Sequence, residues 1–336
     1  MTMPPGKIPL DVLRQVVFKN LGAKRKEVIL GPIAGIDCAV IDLNEKSLIM
    51  KMDPITGALD RIGWLAVNVN ANDISTFGVQ PAFFLSCILL PEKSDKRTVE
   101  IICTQMDRAA KELGIAIVGG HCESTPGLKN PIVIGCAIGL TEKENYVTAA
   151  GAKPGDKIIL TKTAGIEGTA ILASDREKVL ESTIDPSTVK EAREFFEKVS
   201  ITKEALAAYQ TGSVHAMHDP TEGGIAGGIH EMADASGLGF TIFEREIPIA
   251  SETLQICKAF DIQPLYLIAS GSLLIAAEAK SADNVVNSLK RKEIPAKVIG
   301  EFQSSKNKRI IVRENKAEEE LPRPVSDELW KALARD

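Results

Sequence analysis

The sequence predicts a two-domain α+β protein. Its 336 residues are about the length of two ordinary domains. Short apolar runs typical of strands alternate with longer stretches that carry apolar residues at helical spacing. Between two such series lies Gly151-Ala152-Lys153-Pro154-Gly155-Asp156, which has the composition of a turn. We therefore expect an N-terminal domain at residues 1–150 and a C-terminal domain at residues 151–336.

The composition restricts the classes of function. Hydrophobic residues make up 44% of the chain, which is enough for a sizeable core. The net charge of −5, without a basic stripe, and an aromatic content of 4% argue against a nucleic-acid-binding protein. The six cysteines form no CxxC pair, so no zinc ribbon or thioredoxin motif is predicted. With neither a secretory signal nor a long apolar run, we expect a cytoplasmic protein that does not bind membranes.

The N-terminal half is predicted to alternate strands and helices. Helices are expected at residues 9–21, 60–77 and 97–113, and strands at residues 28–30, 37–41, 48–52, 82–90, 115–118 and 132–140. The strand at 115–118 is expected to be buried and to lead into the glycine-containing segment 119–127.

The second of these helices has an unusual polar content. It carries Asn68, Asn70, Asn72 and Asp73 among apolar residues. Asn and Asp are poor helix formers in mid-helix because their side chains compete for backbone hydrogen bonds. We interpret them as a polar face turned toward a site; the alternative is a solvent-exposed face.

The C-terminal half is predicted to contain a second set of strands. They are expected at residues 157–161, 240–243, 265–268, 272–277, 297–302 and 309–312. A glycine-bearing loop enters a helix at 163–171, residues 186–209 are mostly helical, and a short helix follows residue 321.

A glycine-rich helix start lies at residues 218–228. Asp219 is a good N-cap, Pro220 suits the first helical position, and Glu222 falls at the capping-box position. Four glycines follow, including Gly223 and Gly224, and each costs up to about 1 kcal/mol in a helix interior. A close approach must offset this cost. It is either tight packing against another backbone or an anion bound at the helix N-terminus.

Five acidic residues stand at strand ends, at helix starts or on the polar helix face. They are Asp37, Asp53, Asp73, Glu123 and Asp219. Carboxylates that converge with glycine-rich backbone suit a hard cation such as Mg²⁺ bridging to a triphosphate. Neither a P-loop nor a G-x-G-x-x-G motif is present, so a nucleotide site would be of another type.

Three further residues are candidates for chemistry. His121 could act as an acid or a base. Cys122 is either a nucleophile or a small buried thiol. His218 either contacts a ligand at the glycine-rich helix or is a satisfied structural histidine.

Taken together, these segments resemble the aminoimidazole ribonucleotide synthetase (PurM-like) superfamily over nearly the whole chain. That superfamily includes thiamine-monophosphate kinase, selenophosphate synthetase and the HypE hydrogenase-maturation carbamoyl dehydratase. The sequence is most similar to the HypE family. The matching segments are Gly35-Ile36-Asp37-Cys38-Ala39-Val40-Ile41, Asp53, Val69-Asn70-Ala71-Asn72-Asp73-Ile74, Gly119-Gly120-His121-Cys122-Glu123-Ser124-Thr125, residues 151–156, residues 217–235 and Ser270-Gly271-Ser272-Leu273-Leu274.

The resemblance implies a fold and a reaction. The fold is an N-terminal ferredoxin-like α/β domain that forms an intersubunit β-barrel in a homodimer, with a C-terminal α+β domain covering the site. The cofactors are ATP and Mg²⁺, used to phosphorylate an oxygen of a small substrate. The implied metal ligands are Asp37, Asp53, Asp73 and Glu123. The implied catalytic residues are Asp73, His121, Glu123 and His218. The implied cofactor-binding residues are Asp37, Asp53, Asn72, Asp73, Gly119, Gly120, Asp219, Gly223 and Gly224.

The sequence also departs from individual members. HypE carries its substrate on a C-terminal cysteine, whereas the last cysteine here is Cys257. Thiamine-monophosphate kinase has paired aspartates where Asp37-Cys38 stands, and the cyclo-ligase has a glutamate where His121 stands. We therefore expect a HypE-like ATP-dependent enzyme that does not carry its substrate on its own tail. The alternatives are a thiamine-monophosphate kinase-like phosphotransferase and a non-catalytic nucleotide-binding partner in a maturation complex.

Overall fold

The computed structural model describes residues 6–8, 10–33, 35–57 and 59–335, without the side chain of Leu59. The fold is mixed α+β with two β-sheets, of six and seven strands. The predicted boundary residue Gly151 lies in the connection between the two sheets. Neither sheet closes on itself in the described part of the chain. Among the described helices, none combines the length and the hydropathy that crossing a bilayer requires.

The first sheet has the strand order β1-β2-β3-β6-β4-β5. Its strands are β1 (Val28–Leu30), β2 (Ala39–Asp42), β3 (Lys46–Ile55), β4 (Pro81–Leu90), β5 (Ala116–Ser124) and β6 (Ile132–Glu142). Its helices are α1 (Leu10–Gln15), α2 (Ile62–Thr76) and α3 (Lys96–Leu113). The first predicted helix is therefore shorter than expected, and its predicted start, Pro9, lies outside the described residues.

The connection order corrects the ferredoxin-like prediction. The chain runs β3-α2-β4-α3-β5-β6, which is βαβαββ and not the βαββαβ of a ferredoxin-like domain. The physical reason is that β4 and β5 pair in parallel, so a crossover helix must join them. Strand β6 then returns antiparallel between β3 and β4.

Helix α2 lies at the centre of the molecule. Every one of its residues is buried, so it has no solvent face and the surface-face alternative for its Asn residues is wrong. One side packs on the first sheet, and the other meets the C-terminal half, where Trp64 Nε1 donates to the Phe196 carbonyl at 2.7 Å. Because α2 joins both halves, it fixes the residues at its C-terminal end relative to both.

The second sheet has the strand order β13-β12-β9-β11-β7-β10-β8. Its strands are β7 (Lys157–Thr161), β8 (Val214–His218), β9 (Gly239–Phe243), β10 (Leu274–Ala277), β11 (Ala296–Gln303), β12 (Arg309–Val312) and β13 (Glu318–Glu320). The helices of this half are α4 (Ile166–Asp175), α5 (Glu177–Leu180), α6 (Pro186–Arg193), α7 (Thr202–Tyr209), α8 (Gly224–Ser236), α9 (Ser251–Ala259), α10 (Ala282–Lys290) and α11 (Glu328–Leu333).

Three predicted features of the chain were wrong in detail. Residues 265–268 are not a strand, because a 3₁₀ helix at Pro264–Tyr266 occupies the start of this segment. Strand β5 is exposed along its whole length, whereas a buried strand was expected, and it continues to Ser124 instead of ending at Val118. Helix α8 begins at Gly224, so Asp219 is not its N-cap but the residue after strand β8.

Candidate functional site

A cleft of about 770 Å³ lies where the first sheet meets the start of helix α8. Strands β2 and β3 and the end of α2 form one wall, and residues 221–231 and 323–327 form the other. Of the predicted site residues, Asp37, Asp53, Asp73 and Gly223 line this cleft. His218 and Asp219 lie directly behind Asp37, fully buried.

Lys51 lies between the three aspartates of the first domain. Its Nζ is 3.2 Å from Asp53, 3.4 Å from Asp73 and 3.8 Å from Asp37. Burial opposes a charge on Lys51, but the carboxylates of Asp73 and Asp37 outweigh it and raise the Lys51 pKa well above its usual value. Lys51 and Asp53 share the core-facing side of β3 because they are two residues apart on a strand.

Two asparagines of α2 stabilise this arrangement by hydrogen bonds to backbone groups of neighbouring segments. Asn70 accepts from the Asp53 amide at 2.8 Å and donates to its carbonyl at 3.2 Å, which clamps Asp53 in place. Asn72 donates to the Val199 carbonyl at 2.8 Å and accepts from the Ile201 amide at 2.9 Å. Asn72 therefore holds the C-terminal half against α2, next to Asp73.

His218 bridges two carboxylates. Its Nδ1 is 2.8 Å from Asp37 Oδ2, and its Nε2 is 2.8 Å from Glu231 Oε2. Burial disfavours the imidazolium, but Asp37 and Glu231 overcome this and raise the His218 pKa well above its usual value. Lys7 lies 3.4 Å from Glu231 on the far side. Since both ring nitrogens are used, His218 is an ion-paired bridge that orients Asp37, not a free base.

Asp219 is the unsatisfied group of the cluster. It is fully buried, and neither of its carboxylate oxygens has a hydrogen-bond partner in the described structure. Burial, together with the nearby charge of Asp37, raises its pKa to about 7. A third oxygen of the cluster without a hydrogen-bond partner among the described residues is Oδ2 of Asp73, which forms an ion pair with Lys51. Buried carboxylate oxygens without donors are ligands suited to a hard divalent cation, so the residues fit the magnesium that the sequence predicts.

The glycines of α8 have a packing reason. A Cβ on Gly224 would lie 2.6 Å from the Leu267 carbonyl oxygen and 2.7 Å from that of Leu265. A Cβ on Gly228 would lie 2.8 Å from Pro220. Close packing therefore explains the glycines at both positions. It was the predicted alternative to an anion bound at the helix N-terminus. Gly223 differs, because it lines the cleft and its amide donates to Asp327 at 2.6 Å.

The glycine-containing segment of β5 does not join the cluster within one chain. Asp53, Gly135, Ser86 and Gly120 lie on one rung across β3, β6, β4 and β5. Three strand spacings place Gly120, and Gly119 beside it, about 14 Å from Asp53. The predicted ligand Glu123 is therefore not among the carboxylates that this chain gathers.

Residues of the same segment lie on the outer face of the sheet. His121 and Glu123 stand opposite Cys87 and Leu89, on the side away from the core. Their side chains contact each other at 3.1 Å. Cys122 is exposed, so its interpretation as a buried thiol was wrong.

Sequence reasoning missed two cations and one carboxylate of the site. Lys51, Lys7 and Glu231 were not singled out, although Lys51 precedes Asp53 by two residues on one strand. That spacing was the one available signal, because side chains at i and i+2 share a face.

Two family models match the chain. The model for the N-terminal domain of AIR synthase related proteins matches residues 35–141. The model for their C-terminal domain matches residues 153–313. The chain belongs to the AIR synthase related protein family. Within this PurM-like superfamily it lies near HypE in sequence and fold.

Two curated relatives illustrate the sequence similarity. A Methanocaldococcus jannaschii protein that carries the name hydrogenase expression/formation protein is 27% identical over 329 residues, 96% of this chain and 95% of that protein. The carbamoyl dehydratase HypE of Cupriavidus necator is 28% identical over 231 residues. That match covers 68% of this chain and 63% of the HypE chain.

Solved structures share the two-domain fold. A HypE–HypF complex contains a chain with TM-score 0.76 and 23% identity, covering 93% of this chain and 99% of that one. HypE in complex with ATP gives 0.69 at 19% identity, covering 98% of both chains. AaThiL complexed with AMPPCP and TMP gives 0.71 at 19% identity, covering 95% of this chain and 99% of the other. At these identities the likeness shows the fold.

Proposed function

We propose that the protein is an ATP-dependent enzyme that activates an oxygen of a small substrate by phosphorylation. The observation that carries the proposal is the buried carboxylate cluster behind the cleft, in which no described residue donates a hydrogen bond to the Asp219 carboxylate. The similarity to HypE, which has been solved with ATP, supports a nucleotide as the ligand. Phosphoryl transfer depends on charge neutralisation and alignment, and buried, fixed acidic groups suit that task.

The residues of the chain would divide this work. Asp37, Asp53, Asp73 and Asp219 would hold magnesium, which when bound neutralises the charge of the phosphates. Asp73 and Asp219 are the more deeply buried, so they would bind with little water between. Behind them, the Asn70 clamp and the His218 bridge fix Asp53 and Asp37. The cleft above is wide enough to hold a nucleotide and a small acceptor together.

The proposal includes a homodimer. The outer face of the first sheet is apolar and uncovered in the single chain, with exposed side chains at Met52, Phe83, Leu85 and Leu140. A second copy on this face would bury it and form the intersubunit barrel. It would also give His121 and Glu123 of β5, which lie on the same face, a route to the partner's cleft that a single chain does not offer.

The direct test is nucleotide turnover. The full-length protein is incubated with Mg·ATP and a panel of small metabolites, and phosphorylated products are detected by mass spectrometry. Asp73→Asn should reduce turnover about 100-fold or more, because a buried ligand of the metal and phosphates is lost. Asp107→Asn, on the surface of α3, is the matched control and should retain full turnover. Unchanged turnover in Asp73→Asn removes that residue from the site.

The same turnover experiment distinguishes two other candidate functions. A thiamine-monophosphate kinase-like phosphotransferase is favoured by the fold shared with AaThiL, and thiamine monophosphate belongs in the panel as acceptor. A non-catalytic partner in a maturation complex is favoured by the fold shared with the HypE–HypF complex. ATP binding by calorimetry without turnover across the panel would support this last function.

A further inference from the structure

Lys51 stands where the three aspartates of the first domain require a cation. Only 16% of its side chain is exposed, and its ammonium contacts Asp37, Asp53 and Asp73 within 3.8 Å. Asp73 is 2% exposed, Asp37 18% and Asp53 34%, so water screens the charge of Asp73 least. Carboxylates held this close repel one another unless a positive charge lies between them. Lys51 supplies that charge from within the chain.

Asp219 lies within the electrostatic influence of Lys51 and His218, but in the described structure it forms neither a hydrogen bond nor an ion pair with them. Its two oxygens have no donor in the described structure, although they lie beside Asp37. Across the described cluster the acidic groups outnumber the cations. The acidic groups are Asp37, Asp53, Asp73, Asp219 and Glu231, and the cations are Lys51, His218 and Lys7. Among these acidic groups of the described cluster, Asp219 is the one with neither a hydrogen-bond donor nor an ion-pair partner.

We propose that the Lys51 ammonium substitutes for one metal ion, so that the site without nucleotide takes up a single divalent cation on the Asp219 side. The inference rests on the proposed function for the presence of a metal. It adds that the chain itself fills one of the cation positions, with the ammonium of Lys51. Lys51 is a positioning residue, because it contacts the carboxylates that would hold the metal. Its removal should open a second position bounded by Asp37, Asp53 and Asp73.

The test measures metal binding without nucleotide or turnover. Metal-free full-length protein is titrated with Mn²⁺, and free Mn²⁺ is followed by electron paramagnetic resonance. The wild type should bind about one Mn²⁺ per chain. Lys51→Met, which keeps the length and removes the charge, should bind a second Mn²⁺, with the first bound about tenfold tighter or more. Lys46→Met removes an exposed lysine of the same strand and should bind as the wild type.

Thermal unfolding is the second measurement, and it tests the inference even if the substitution weakens the fold. In EDTA the melting temperature of Lys51→Met should fall below that of the wild type, and Mg²⁺ should raise it by more than it raises the wild type. Lys51→Arg keeps the charge and should match the wild type in both measurements. Unchanged Mn²⁺ binding in Lys51→Met, or two ions bound by the wild type, overturns the inference and leaves the proposed function standing. No Mn²⁺ bound by any of these proteins overturns the magnesium of the proposed function and this inference with it.

Discussion

Replacing Asp219 by asparagine should stabilise the metal-free protein. The Asp219 carboxyl is fully buried without a donor in the described structure, and its pKa is raised from 3.8 to about 7. When the pKa of a carboxyl is higher in the folded than in the unfolded state, the free energy of unfolding falls as pH rises. The fall begins near the unfolded-state pKa and reaches its full size above the folded-state pKa. Well above pH 7 this difference corresponds to about 4 kcal/mol. The substituted asparagine would carry no charge, and its amide could donate to Asp37.

The assay is urea unfolding in EDTA at several pH values. At pH 8 we expect Asp219→Asn to be more stable than the wild type by about 1 to 4 kcal/mol, since neighbouring groups relax around the charge. At pH 3 the two proteins should be nearly equal, because the carboxyl, with an ordinary pKa of 3.8, is then largely protonated in both states. With Mg²⁺ the order should reverse, since the variant lacks a ligand. A variant no more stable than the wild type at pH 8 in EDTA would refute the reasoning.

Asp327 is the matched comparison. Its pKa is also raised to about 7 by burial, but its oxygens accept from three backbone amides, those of Gly223, Ile268 and Leu329. In Asp327→Asn the side-chain NH₂ group would face at least one of these backbone N–H groups, so that a hydrogen bond is lost. The free energy of unfolding should fall by about 1 to 3 kcal/mol. Opposite signs at two carboxyls of similar pKa would show that missing donors, not burial alone, distinguish Asp219.

Three further predictions concern the dimer, the glycine helix and the clamp. Leu85→Asp places a charge on the exposed apolar face of the first sheet and should yield monomers in light scattering; a dimer of wild-type affinity would contradict the proposed interface. Gly224→Ala should cost about 2 kcal/mol or more in urea unfolding, because its Cβ would meet two carbonyls within 2.7 Å at φ +61°. Gly57→Ala, whose Cβ would meet no described atom within 4 Å, should be neutral. Asn70→Ala removes the bonds that hold Asp53 and should lower both stability, by about 2 kcal/mol, and Mg·ATP turnover; retained turnover would show that the clamp is not needed.

Apolar alternation and helix signals predicted most of the strands and the principal helices. The failure at β5 has a specific cause. The predicted strand ended at Val118, before two glycines. Gly119 and Gly120 instead adopt φ near +150° inside the strand, where a Cβ on Gly120 would clash with the Ser86 carbonyl oxygen. At this position glycine allows two strands to pair closely beside a register shift, and it does not form a turn. Sequence composition alone does not distinguish these two uses.

The carboxylates of the site were predictable and its cations were not. Asp37 and Asp53 lie at the ends of predicted strands, and Asp73 lies on the polar face of a predicted helix, so all three were candidates from the sequence. Lysine on a half-buried strand carries no such mark, because its long side chain usually reaches solvent. Only the tertiary structure shows that Lys51 turns inward among three acidic groups. The assignment of Glu123 needs the quaternary structure as well, because strand order places it away from the cluster in one chain.

The position of Asp219 argues for ligand binding over stability. A carboxyl required only for folding would be bonded, as Asp327 is, or replaced by an amide that removes its charge. Asp219 instead lies at the end of β8 with both oxygens orphaned, directly behind Asp37, which His218 holds in place. The fold thus retains a buried carboxyl whose ionised form destabilises the metal-free protein. Such local destabilisation is the arrangement expected where a bound cation supplies the missing partner.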